Sequence, residues 1–65
     1  MSYVRIVDIE INKDDIPHKL NDILERRINA VMFSEHPIVA TDVKILSVED
    51  SIFDTVTYKV LILFG

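Results

Sequence analysis

The chain opens on Tyr3-Val4-Arg5-Ile6-Val7-Asp8-Ile9-Glu10-Ile11, a run rich in β-branched residues that alternates over its second half. Val7, Ile9 and Ile11 fall on one face, with Asp8 and Glu10 on the other, and this predicts a first strand. The alternation slips at the start, where Val4 and Ile6 share the face of Asp8 and Glu10. Either a bulge or a strand that is apolar on both faces at one end would account for the slip.

Asn12-Lys13-Asp14-Asp15 is a polar break. Pro17 suits the first turn of a helix, where a missing N–H has no partner to lose. From Ile16 or Pro17 onward, Leu20, Ile23, Leu24, Ile28 and Val31 recur at the three-and-four spacing of one helical face, with Lys19, Asp22, Glu25 and Arg26 off it. The helix is expected to end by about Phe33. Ser34-Glu35-His36-Pro37 reads as a loop, because the residue before a proline avoids the helical region.

A second β-rich segment runs from Ile38 or Asp42 to about Val48. Simple alternation puts Val43 and Ile45 on one face and Asp42, Lys44, Leu46 and Val48 on the other. Glu49-Asp50-Ser51-Ile52-Phe53-Asp54 is too short for a crossover helix, so the flanking strands form an antiparallel hairpin. The last strand, Thr55 to Phe64, is the most apolar segment. Val56, Tyr58, Val60, Ile62 and Phe64 lie on one face and Thr55, Thr57, Lys59, Leu61 and Leu63 on the other.

This order predicts an α+β fold, a single βαββ domain over residues 1–65. The most continuously apolar strand belongs at the centre of a sheet, which gives a three-stranded antiparallel sheet in the order 1-3-2 with one helix packed on one face. Val7, Ile9, Ile11, Val43, Ile45, Val56, Val60 and Ile62 are then expected to meet the helical stripe. Val4, Ile6, Leu46, Val48, Leu61 and Leu63 are left on the opposite face. Placing the helix on the Leu61 face instead would merely exchange which face is uncovered. One helix cannot cover both sides, and a monomer seldom tolerates so large an apolar patch in water. Burying each such side chain is worth about 1.5–3 kcal/mol, so a homo-oligomer is expected, with sheets packed face to face or edges joined.

Composition strengthens that expectation. The chain has 65 residues, 49% apolar and 28% charged, as a folded domain has and a disordered tail does not. A domain this short buries only about 60% of its unfolded surface and is commonly stapled by disulfides, a metal or a partner. It contains no cysteine, which excludes disulfides and cysteine-type zinc sites and leaves self-association. The net charge of −4 argues against a nucleic-acid partner, which needs a basic surface. No apolar run approaches the ~20 residues of a membrane span and no secretory leader is evident, so a cytoplasmic protein without a membrane partner is expected.

Candidate chemistry is sparse. His18 and His36 lie near opposite ends of the helix, about 27 Å apart at ~1.5 Å per residue, too far to share a metal within one subunit. Asp8 and Glu10 share a strand face, Asp14 and Asp15 precede the helix, and Glu49, Asp50 and Asp54 surround the hairpin. All read most simply as solvated carboxylates or as acids favoured by a helix dipole. Ile52-Phe53, two large apolar residues inside the acidic hairpin loop, mark packing onto another subunit or partner, or a local cluster over the helix end. Arg26-Arg27, and Arg5 with Lys59 as cross-strand neighbours, are the local concentrations of positive charge. With Tyr58 they could hold an anionic small molecule such as a nucleotide between subunits. There is no phosphate-cradling loop, since the only glycine is Gly65, and no nucleophile sits beside a base in a recognisable motif. No enzyme activity and no cofactor are expected.

Val4-Arg5-Ile6-Val7-Asp8, Asp14-Asp15, Leu20-Asn21, Leu24 and Asp42-Val43-Lys44, followed by the hydrophobic closing strand, resemble the small Cse-type sporulation-associated proteins of bacilli and their phages. That resemblance implies a short cytoplasmic βαββ protein without known catalysis. The topology is also similar to that of dodecin, a flavin-binding βαββ family that assembles into hollow dodecamers. The chain has no tryptophan to stack on flavin, so only the idea of a protomer that must oligomerise carries over. The reading is a non-catalytic, homo-oligomeric protein that binds another protein, an accessory role in a phage or bacillus. The alternative is an oligomer that sequesters an anionic ligand through Arg5, Arg26, Arg27, Tyr58 and Lys59.

Overall fold

The computed structural model describes residues 2–65. Strand β1 spans Tyr3–Asn12, helix α1 Ile16–Ser34, β2 Ala40–Asp50 and β3 Thr55–Phe64. The sheet order is β1-β3-β2 with both pairings antiparallel, the expected α+β arrangement.

β3 holds the centre because it alone offers a fully apolar face while pairing along both edges. Val60, Ile62 and Phe64 are completely buried, and Val56 and Tyr58 nearly so. Ile9 and Ile11 of β1 complete the buried core. Ile16, Leu20, Ile23, Leu24, Ile28, Val31 and Met32 of α1 pack against it, so the helix lies on the Tyr58 side of the sheet.

The polar break of the sequence is a single 3-10 turn, Lys13–Asp15, which leads directly into α1 with proline in its first turn. The helix runs one residue beyond the expected end, to Ser34, whose hydroxyl donates to the Val31 carbonyl at 2.7 Å. The backbone N–H of Glu35 then returns to the carbonyls of Met32 and Phe33.

The β1–β3 ladder is regular from Tyr3↔Phe64 to Asn12↔Thr55. The slip at the start of the first strand is therefore a two-faced apolar end and not a bulge. The irregularities lie in β2, between Ala40 and Asp42 and between Ile45 and Ser47. Directly paired residues of an antiparallel ladder share a face. Val43↔Ile62, Ile45↔Val60 and Val48↔Tyr58 therefore put all three β2 residues on the helix side, whereas Asp42↔Leu63, Lys44↔Leu61, Ser47↔Lys59 and Glu49↔Thr57 lie on the outer side. Val48 therefore departs from the outer face to which simple alternation assigns it. The bulge takes up Leu46 without a partner and resets the alternation, so Val48 leaves the outer face for the helix side.

Candidate functional site

A helix about 10 Å across covers about two strands spaced ~4.8 Å apart and leaves the third bare. The uncovered strand is β2. Val43 (38% exposed), Ile45 (55%) and Val48 (56%) face the helix side yet stand open to solvent. Val43 and Ile45 were expected to meet α1; they share its side of the sheet but lie outside the packed cluster, to which β2 contributes only Ala40. The helix is correspondingly under-covered, and none of its residues is buried.

The outer face carries a second, smaller patch. Val4↔Leu63 and Ile6↔Leu61 set four apolar side chains together at one end of the β1–β3 pair, Val4 and Ile6 exposed and the two leucines half-buried. The paired residues that β2 contributes to this face are Asp42, Lys44, Ser47 and Glu49. Of the expected six, Val4, Ile6, Leu61 and Leu63 form this patch, Val48 lies on the helix side, and Leu46 sits unpaired at the bulge, half exposed.

The hairpin tip is the third surface. Ile52 is 95% exposed and Phe53 72%, so they do not form a cluster over the helix end. Their loop is nevertheless anchored. The Lys13 ammonium meets Asp50 Oδ1 at 2.7 Å and its backbone N–H donates to the Asp54 carbonyl at 2.8 Å. Within the loop the Phe53 N–H donates to Ser51 Oγ at 3.0 Å. These bonds hold the base of the loop against the β1–α1 junction while the two apolar side chains project. Glu49, Asp50 and Asp54 surround them with negative charge.

The candidate anion-binding residues do not converge within one protomer. Arg5 pairs with Ile62, on the helix side, while Lys59 pairs with Asp8 and Ser47 on the outer side, so the two are not cross-strand neighbours. Tyr58 is buried under the helix, and Arg26 and Arg27 are exposed on α1.

Arg5 instead belongs to a cluster that sequence reasoning missed. Its guanidinium forms a salt bridge to Glu35, and the Tyr3 hydroxyl donates to the other carboxylate oxygen of Glu35 at 2.9 Å. Tyr3 also stacks on Phe64, with ring centroids 5.3 Å apart. Hydrogen bonds from Arg5 and Tyr3 hold the Glu35 carboxyl below its ordinary range. Desolvation, then the bond and charge of Glu35, push the Tyr3 phenol up. The cluster ties the C-terminal end of α1 to the start of β1. The available signal was Glu35 immediately after the helical stripe, where the end of the helix returns to the first strand.

Among the described residues, no three metal-ligating side chains converge, and no helix is long and apolar enough to cross a membrane. A depression of about 410 Å³ is lined by Ile16, Pro17, His18, Leu20, Asn21 and Asp22, all from the first two turns of α1. His36 stacks loosely on Phe33, ring centroids 6.4 Å apart, at the far end of the helix from His18. No protein-family model, curated protein or solved structure matches the chain.

Proposed function

We propose that the protein is a non-catalytic, homo-oligomeric interaction module, which associates with itself through apolar sheet surface and binds another protein through its projecting hairpin tip. The observation that carries this reading is the amount and placement of exposed aliphatic and aromatic surface. Large apolar side chains stand open on β2, on the outer end of β1 and at Ile52-Phe53. Surface of this kind on a small chain without cysteines is the material of protein–protein contacts.

The tip fits a partner contact because its base is pinned while its apolar residues are free. An anchored loop presents Ile52 and Phe53 with less ordering cost than a mobile one, and the surrounding carboxylates favour an apolar pocket with a basic rim. An accessory role in a bacterial or phage cytoplasm rests on the resemblance to the Cse-type proteins and extends this reading.

Light scattering coupled to size-exclusion chromatography at low micromolar concentration tests self-association. A mass that is a multiple of 7.5 kDa is expected, and a clean 7.5 kDa species across the accessible range would overturn it.

A further inference from the structure

Resting on that self-association, we propose that the strip Val43, Ile45 and Val48, together with the adjoining flank of α1, is where a second copy of this chain docks, and that the outer-face patch is not.

Exposed area sets the scale. A compact 7.5 kDa monomer exposes about 4,250 Å² by the general area–mass relation, whereas this chain exposes 4849 Å². The difference is about 600 Å² per copy. That excess is spread over the whole chain, the projecting tip included; covered in full by two copies it would amount to about 1,200 Å², the lower bound of a specific, stable pair, so the strip reaches that scale only with the flank of α1 beside it. The radius of gyration agrees, at 12.6 Å against about 11 Å for a compact chain of this length.

Position then chooses the face. The core is incomplete on the helix side: the packed stripe of α1 has no buried residue, and the strand beside it is bare. A second copy docked there extends a core that already exists, whereas covering the outer patch would start a new one over four side chains.

Charge chooses the same face. Each copy carries a net charge of −4, so two copies meet most easily where neither presents carboxylates. On the helix side, the paired residues of β2 are Ala40, Val43, Ile45 and Val48, all uncharged, followed at the hairpin end by Asp50, whose carboxylate is met by the Lys13 ammonium. The outer patch is instead bordered by Asp42 and Lys44 on β2 and by the facing pair Asp8 and Lys59. The bulge supports the assignment as well, since without the extra residue at Leu46 the strip would lose Val48 to that charged face. In a closed pair the same strip serves both copies about a twofold axis.

The test compares Ile45→Asp and Val48→Lys with Ile6→Asp by sedimentation velocity over a concentration series, with far-UV circular dichroism confirming the fold. Both β2 variants are expected to weaken self-association at least 100-fold, and Ile6→Asp less than fivefold. Because the chain has no cysteine, Ile45→Cys and Ile6→Cys add a readout that introduces no charge. The thiol at position 45 should react with a maleimide more slowly as protein concentration rises, and that at position 6 at a constant rate. Concentration-dependent protection at position 6 alone, or loss of association only in Ile6→Asp, would overturn the assignment while leaving self-association intact. A wild-type chain that stays monomeric throughout would overturn self-association itself.

Discussion

At the scale of single residues, the Tyr3–Glu35–Arg5 cluster makes the clearest demand on the chemistry. Glu35 is held below its ordinary carboxylate range by the bonds from Arg5 and Tyr3. A depressed folded value means that the charged form favours folding, so its contribution is present above the ordinary range and fades as pH falls through the folded value. Tyr3 is raised, so its contribution is present below the ordinary phenol range and is lost as pH climbs through the folded value. Urea midpoints measured across pH should therefore fall on both flanks. Glu35→Gln should be less stable at neutral pH and lose less between about pH 5 and pH 3, the range where carboxylates titrate, than the parent does. Tyr3→Phe should flatten the alkaline flank above about pH 10. Superimposable pH profiles for parent and Glu35→Gln would show that the cluster does not clamp α1. This cluster was invisible to pattern reasoning because its three members lie in different contexts, two on a strand and one at a helix end, and only the return of α1 along β1 brings them together.

At the scale of elements, the difference between β3 and β2 governs how the chain should respond to truncation. Ile62 is fully buried between both neighbours and under the helix, whereas Ile45, whose cross-strand partner Val60 lies two positions from Ile62, is more than half exposed. Ile62→Ala should cost about 2–5 kcal/mol, the range for a large aliphatic removed from a packed core. In dilute, monomeric protein, Ile45→Ala should cost less than about 1 kcal/mol, since little of that side chain leaves water on folding. Chemical denaturation at low concentration separates the two, and equal losses would mean that β2 is covered after all. The alternation of β3 is legible in the sequence because a central strand must keep strict period two to serve two neighbours. In β2, simple alternation puts Val48 on the wrong face because a bulge inserts one residue where periodicity assumes none. The clue lay in the polar residues: Asp42, Lys44, Ser47 and Glu49 share a face only if the spacing is two, three, two. An edge strand can absorb that extra residue because only one of its sides is bound into the ladder.

At the scale of the whole molecule, a core left open along one strand should make stability depend on concentration. If two copies complete each other, unfolding releases two chains from one folded species, and mass action then raises the melting temperature with protein concentration. Each tenfold increase adds about 1.4 kcal/mol per pair. The unfolding entropy of two 65-residue chains is about 0.27 kcal/mol/K at ~2.1 cal/mol/K per residue, so the midpoint should climb by about 5 °C per tenfold step. The hairpin tip should be silent in this measurement: Ile52→Ser and Phe53→Ser leave the slope unchanged, because those side chains stand clear of the core and of the β2 strip. Ile45→Asp should abolish the slope while the dilute-limit midpoint stays near that of the parent. Differential scanning calorimetry at three concentrations measures all four slopes. A tip variant that flattened the slope would place Ile52-Phe53 in the self-interface, and the tip would then no longer be free to meet a different partner.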